Sequence, residues 1–338
     1  MLEHSRQADP RSPADGPERF LVTGCEGCIG SWVVRRLVDQ GFPVVACDLA
    51  PEPRRIARIL EPPLPGRLTY ACADLTAPGA IAELVAEHRI TRIVHLAALQ
   101  VPFVAADPLL GAEVNVVGTV RVLEAARGAA SVRGVAYASS SAVFGSSGAW
   151  GRADTLYGAF KAANEETARF YARDYATPST GLRPCVVYGP NRDRGLSAAI
   201  THALKAAVLG VSYTIPFSGS IDLQYVEDVA SAFVRVALAQ QDGARVFDLH
   251  GELVDIEEVI AIIEAQVPEA AGRISCSPSA VPGRVEFDDE PLRALLGGLP
   301  KTSLADGIRT SLELFRRQRD SGILTRAGFE ADAGVSPI

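Results

Sequence analysis

The chain has 338 residues, of which 48% are hydrophobic, and a net charge of −7 spread without a basic block. That length supports one large core, or one core with an annexed lobe; the lack of clustered Lys and Arg argues against a nucleic-acid partner. No apolar run approaches the ~18 residues of a membrane span, and residues 1–18 read as a disordered tail without a signal-peptide core, so a cytoplasmic protein with no membrane partner is expected.

From Phe20 onward short apolar runs alternate with amphipathic stretches of helical length. Phe20–Thr23 reads as a strand, Ile29–Gln40 as a helix, Val44–Cys47 and Leu68–Cys72 as the next strands, and Ile81–His88 as a helix. Ile93–Leu96 is a fourth strand, and Val114–Ala126 a long helix whose Val114, Val117, Leu123 and Ala126 make an apolar stripe. Val135–Ala138 is a fifth strand, Tyr157–Tyr175 a helix, and Leu182–Tyr188 a sixth strand. Strands without polar alternation imply a parallel sheet covered on both faces. Right-handed crossovers then give a doubly wound, Rossmann-type α/β fold. This domain is expected over residues 19–190, with some later segments returning to it. Beyond Asn191 the regularity fades into shorter pieces, with helices at Val226–Leu238, Ile256–Val267 and Leu304–Arg317, the last capped by Thr302 or Ser303. Residues 191–318 are expected to form mainly a small C-terminal substrate-binding lobe, and 319–338 a polar tail.

The first strand runs into Thr23-Gly24-Cys25-Glu26-Gly27-Cys28-Ile29-Gly30 and then the first helix. Gly24 permits a tight turn, Gly27 lets the backbone approach a pyrophosphate, and Gly30 lets the helix pack against the strand. The helix N-terminus at Cys28 and Ile29 offers N–H groups to the anion. Asp48, at the end of the second strand, can accept hydrogen bonds from both ribose hydroxyls of NAD and would repel a 2′-phosphate. Leu49 follows it, and Arg54 and Arg55 leave NADP as the alternative. Cys25 and Cys28 have the spacing of a redox or metal pair. No second pair or nearby His completes a zinc site, and the five histidines show no ligand spacing, so no metal is expected. A dithiol site is the alternative, but the interleaved glycines account for the segment better.

Tyr157 and Lys161 stand four residues apart, on one helix face. An ammonium there would favour the phenolate and lower the tyrosine pKa towards the operating pH. Ser139-Ser140-Ser141 ends the preceding strand, where a hydroxyl could share the substrate oxygen with Tyr157.

These features together resemble the extended short-chain dehydrogenase/reductases, the NAD-dependent epimerase/dehydratase family, from about Phe20 to Arg317. The resemblance includes Asp74-Leu75, His95-Leu96-Ala97-Ala98, Asn115-Val-Val-Gly-Thr119, Ser139-Ser140-Ser141-Ala-Val-Phe144-Gly145, Leu182-Arg-Pro184, Tyr188-Gly-Pro190 and Tyr225-Val-Glu-Asp228. It implies that Asp74 and Leu75 flank the adenine and that Leu96, Ala97 and Ala98 line the pyrophosphate and nicotinamide ribose. Asn115, Ser139, Pro184 and Val187 are further cofactor positions. Tyr157 would be the acid/base, Lys161 would hold the ribose hydroxyls, and Ser140 would be the catalytic hydroxyl, with Ser141 its rival. His95 would be structural, and the helices begun at Val114 and Tyr157 would form a homodimer interface.

Departures from the family bear on substrate. Phe144 stands where Tyr is common, Val186 where nucleotide-sugar epimerases carry Asn, and Ile221-Asp-Leu-Gln224 where an Arg or His often precedes Tyr225. Arg192, Arg194 and Arg284 remain available for an anionic substrate. Dehydration is disfavoured, because Ser141 and Ala142 stand where dehydratases carry Asp-Glu. A small carbohydrate-like substrate held near Gln100, Ser140, Ser141, Tyr157, Arg194 and Gln224 predicts an NAD-dependent dehydrogenase of a sugar or sugar acid. The alternatives are an NAD-dependent nucleotide-sugar epimerase and, further off, a non-catalytic NAD-binding regulator.

Overall fold

A computed structural model describes residues 17–60, 63–146, 148–239, 242–279 and 287–333. Arg284 and most of the expected N-terminal tail lie outside the described residues. The first half alternates β1 (Phe20–Thr23), α1 (Cys28–Asp39), β2 (Val44–Asp48), α2 (Arg54–Ala57), β3 (Leu68–Cys72), α3 (Ala80–Glu87) and β4 (Arg92–His95). It continues with α4 (Val101–Ala106), α5 (Pro108–Ala112), α6 (Gly118–Gly128), β5 (Val135–Ala138), α7 (Leu156–Tyr175), β6 (Ser179–Arg183) and β7 (Val186–Tyr188). The second half contributes α8 (Ala199–Leu209), β8 (Tyr213–Ile215), β9 (Ser220–Tyr225), α9 (Val226–Leu238), β10 (Ala244–Asp248), β11 (Glu252–Asp255) and α10 (Ile256–Gln266). It ends with β12 (Ile274–Cys276), α11 (Glu290–Leu296), α12 (Leu304–Asp320) and α13 (Arg326–Ala333).

Seven parallel strands form the central sheet in the order β10-β6-β5-β4-β1-β2-β3. Every residue of β1 and β4 is buried, as strands covered on both faces must be. One apolar layer packs Val33 and Leu37 of α1 with Phe233 of α9, and the other packs Ile81 of α3 with Val122 and Leu123 of α6. The sheet's order reverses between β1 and β4, so the loops after these strands open the crevice in which such folds bind ligands.

Two expected elements divide. The run Leu182–Tyr188 breaks into β6 and β7 at Pro184, which has no N–H to give a ladder. β7 then leaves the central sheet for a second one ordered β11-β9-β7. The expected helix Val114–Ala126 begins with a π-helical turn at Glu113–Val117 before α6. Ser303 caps α12 by accepting from the Asp306 N–H, while Thr302 donates to Asp228.

The chain ends also differ from simple polar tails. Glu18 accepts a hydrogen bond from the Thr91 hydroxyl (2.6 Å) and pairs with Arg92 (3.3 Å) and Arg133 (2.8 Å), which anchors the entry to β1. At the other end α12 runs on to Asp320 and α13 follows, burying Leu324 and Phe329. Among the described residues, no helix is long and apolar enough to cross a membrane.

Candidate active site

The loops after β1, β2, β3 and β4 enclose a cavity of about 280 Å³, lined by Gly24, Gly27, Cys28, Asp48, Leu49, Asp74, Leu75, Leu96, Ala97, Ala98 and Gln100. Gly24 has φ +72°, and a Cβ there would stand 2.5 Å from the Ala97 nitrogen. A Cβ on Gly30 would collide with the Gly24 carbonyl, so α1 approaches the loop as closely as glycine permits. Ile29 is partly buried at the start of α1. This bare-backbone cradle beside a helix N-terminus fits a pyrophosphate.

Asp48 accepts from the backbone N–H of Glu26 (2.9 Å) and of Leu49 (2.8 Å), which aims its carboxylate at the cavity rim. Arg55 is occupied elsewhere: its guanidinium donates to the Glu26 carbonyl (3.1 Å) and pairs with Asp193 (3.2 Å). Arg54 lies against Glu52 at 3.5 Å. The acidic rim and the two engaged arginines fit NAD better than NADP. Hydrogen bonds from the Thr76 hydroxyl and N–H hold the Asp74 carboxyl below its ordinary range. Burial pushes the Cys28 thiol up to about 12 and raises Cys25 as well, so neither supplies a thiolate for redox chemistry. Among the described residues, no group of three or more His, Cys, Asp or Glu side chains could hold a metal ion.

The serine run and α7 meet beside this crevice: Ser140, Tyr157 and Lys161 do not line the cavity itself, but Arg192 does and acts on Tyr157. Ser140 stands beside the Tyr157 phenol and accepts from the Ala142 N–H (3.1 Å). Ser141 stands beside the Cys185 thiol instead, which favours Ser140 over its rival. Thr155 caps α7 through the Gly158 N–H and thereby sets where Tyr157 enters. The Lys161 ammonium lies over the Tyr157 ring, 5.6 Å from its centroid, and donates to the Ala138 carbonyl (2.7 Å). Burial raises the Tyr157 pKa, while the Ser140 hydrogen bond and the Arg192 charge oppose that shift. The expected lowering by Lys161 is not found in the protein alone, because burial brings Lys161 down to about 8 and the lysine has lost its charge at the higher pH where the buried phenol ionises.

His95 is structural in the way its position implied. Its ring bridges Thr23 (2.7 Å) and Thr119 (3.1 Å), and burial lowers its pKa to about 3, keeping it neutral.

Several expected site residues support the cavity instead of facing it. Asn115 clamps the backbone N–H (2.7 Å) and carbonyl (2.9 Å) of Leu99, shaping the turn after β4. The Ser139 hydroxyl donates into Glu165. The Pro184 carbonyl accepts from the Ser141 N–H (3.1 Å), and Val187 is buried in β7. Gln224 is also buried: it accepts from the Cys185 N–H (3.2 Å) and donates to the Leu249 carbonyl (2.7 Å) and Asp222 (3.2 Å), so its amide is committed to the fold. Gln100, in the amide orientation that satisfies both neighbours, accepts from Arg192 (3.0 Å) and donates to the Arg194 carbonyl (3.1 Å). Arg194 extends over the Phe103 ring (5.8 Å) and remains exposed at the cavity.

Two residues gain weight that sequence reading did not give them. Glu26 accepts from the Arg55 (2.7 Å) and Ile56 (3.0 Å) N–H groups, so the phosphate loop itself caps α2. Glu165 binds Ser139, Trp150 and Arg183, and its place four residues after Lys161 was the available signal.

Residues 20–249 match the NAD dependent epimerase/dehydratase family. UDP-glucose 4-epimerase of Mycolicibacterium smegmatis is 31% identical over 89% of this chain and 99% of its own length. A probable UDP-glucuronate 4-epimerase of Rhizobium meliloti is 28% identical over 88% of this chain and 96% of its own. Among solved structures, Thermus thermophilus UDP-glucose 4-epimerase in complex with NAD superposes with a TM-score of 0.74 at 28% identity, covering 88% of this chain and 99% of that one. The chain belongs to the NAD-dependent epimerase/dehydratase family, whose enzymes are extended short-chain dehydrogenase/reductases.

Proposed function

We propose that this chain is an NAD-dependent nucleotide-sugar 4-epimerase. The juxtaposition of Ser140 and Tyr157, beside a dinucleotide cradle and one helical turn from Lys161, is the observation that carries it. The choice of reaction draws on the relatives, which are 4-epimerases matched over nearly their whole length. They favour epimerisation over the net dehydrogenation expected from Val186 and the segment before Tyr225. That expectation rested on grips for a nucleotide that were absent, and other side chains can supply them.

Bound NAD would supply the reversible hydride acceptor. Gly24, Gly27 and the α1 N-terminus would bind its pyrophosphate, Asp48 its adenosine ribose, and Lys161 the hydroxyls of its other ribose. Tyr157 removes the proton of the sugar's 4-hydroxyl while Ser140 donates to the same oxygen, and Tyr157 returns the proton once the sugar has presented its other face. Arg192, fixed by Gln100 and Ser197, and the exposed Arg194 stand where the anionic nucleotide portion enters. Retention of all three reacting side chains argues against a non-catalytic regulator. A homodimer formed through the α6 and α7 region completes the reading.

The test is to incubate the protein and NAD separately with UDP-glucose, UDP-galactose and UDP-glucuronate, following product stereochemistry by NMR and NADH by absorbance. Interconversion of 4-epimers without accumulated NADH is expected. Stoichiometric NADH with an oxidised sugar product would restore the dehydrogenase.

A further inference from the structure

Glu165 stands two turns beyond Tyr157 and one beyond Lys161 on α7, and it is only 5% exposed. Its carboxylate accepts from the Arg183 guanidinium (2.7 and 2.6 Å), the Trp150 indole N–H (2.6 Å) and the Ser139 hydroxyl. Arg183 also pairs with Asp248 (3.2 Å) on β10. One carboxylate thus gathers the end of β5, the end of β6 and the loop that precedes α7.

The charges in this cluster do not cancel. Arg183 serves both Glu165 and Asp248, so two buried or half-buried carboxylates share one guanidinium, and a surplus negative charge in such a site calls for a further cation. Lys161, itself 4% exposed, lies one turn back on the same face. Its ammonium hangs on the carbonyl of Ala138, the neighbour of the serine that Glu165 holds. We propose that Glu165 is a positioning residue that keeps Lys161 charged in its buried site and fixes the Ala138–Ser140 segment on which both Lys161 and Tyr157 depend. The proposal rests on the reading of Lys161 as the charged group beside Tyr157.

The groups around Lys161 give the sign. On α7 it faces Tyr157 and Glu165. From β4 comes His95, which is neutral, and from β5 the Ala138 carbonyl. Arg183 on β6 meets Glu165 and Asp248 on β10, and Arg192 after β7 acts on Tyr157. Burial draws the Lys161 value down, and the Glu165 charge is the one that pulls it back up. A neutral side chain at 165 must therefore release the lysine proton at lower pH.

Lys161, Lys205 and Lys301 are the three lysines of the chain, so its lysines can be followed individually by NMR after ¹³Cε-lysine labelling. Lys161→Met identifies the Lys161 signal by its loss. Glu165→Gln should lower the Lys161 titration midpoint by about one pH unit, leaving Lys205 and Lys301 unmoved. Glu165→Asp keeps the charge on the same face and should leave the Lys161 midpoint close to that of the unaltered protein, which keeps the proposal testable if Glu165→Gln does not fold. A Lys161 midpoint unchanged in a folded Glu165→Gln protein, or lowered by about one unit in Glu165→Asp, overturns it. Turnover of Lys161→Met judges the catalytic reading separately: full activity there would remove Lys161 from the chemistry without touching the titration result.

Discussion

Ser140 stands beside the Tyr157 phenol, whereas Ser141, one residue on, stands beside the Cys185 thiol. The extended backbone at Ser140 (φ −162°, ψ 150°) ends β5's direction, and the 3₁₀ turn Ser141–Val143 then sends the next hydroxyl to the other side. Ser140→Ala should lower kcat by about 10²–10³-fold, as loss of one donor to a reacting oxygen does, while Ser141→Ala stays within about tenfold. Tyr157→Phe should abolish turnover with NAD binding retained, measured by calorimetry, because the ring stays in place without its proton. Equal losses in the two serine variants would refute the assignment of Ser140.

Cofactor choice follows from one side chain that is aimed and another that is tied down. Asp48 is aimed by two backbone N–H groups, and Arg55 is tied to Glu26 and Asp193. NAD should bind more tightly than NADP, and Asp48→Ala should cost about tenfold or more in NAD affinity while narrowing the gap, an estimate for loss of hydrogen bonds to a charged group. Tighter NADP binding by the unaltered protein in the same calorimetric titration would contradict this.

The parts of the site that depend on backbone were legible in the sequence, because glycine spacing and strand periodicity report on backbone directly. Gly24 and Gly30 sit where a Cβ would strike neighbouring backbone, and β1, β3 and β5 have the expected bounds. What depends on long-range side-chain pairing was not legible. Nothing local to Ser139 or Asn115 says that one is claimed by Glu165, 26 residues away, and the other by Leu99. The same holds for Gln224, whose polar character suggested substrate while its amide is consumed by Cys185 and Leu249. The spacing of Tyr157 and Lys161 correctly placed both on one face, but spacing carries no information on burial, and burial decides the direction of both pKa shifts.

Those two shifts set the pH dependence. Tyr157 must lose its proton to act as base, and burial raises its pKa, so activity should climb with pH through the neutral range. Lys161 must keep its proton, and burial lowers its pKa to about 8, so activity should level off above that value and fall only beyond the raised Tyr157 value. The optimum of kcat/KM therefore lies on the alkaline side of neutrality. His95, held neutral with a value of about 3, contributes no limb near the usual histidine range, and His95→Asn should change the height of the profile without moving its limbs. A profile that declines steadily from about pH 6 upward would contradict the roles given to both residues.

The last prediction concerns assembly. The apolar stripe expected on Val114–Ala126 divides in the structure: Leu123 and Ala126 are buried against the central sheet, so they are not available to a partner. Val117 remains 37% exposed, with Leu109 (85%) and Leu110 (47%) just before it on α5 and Phe170 (42%) on the adjacent α7. Large side chains exposed on neighbouring helices mark an interaction face more credibly than scattered ones. The expected solution state is a homodimer that covers them, with twice the 35.7 kDa chain mass by light scattering at micromolar concentration. Val117→Arg combined with Phe170→Arg should convert it to monomer by placing like charges in an apolar interface, while far-UV circular dichroism stays that of the folded chain. A monomeric mass for the unaltered protein would refute the assembly, and a dimer that survives both substitutions would place its interface elsewhere.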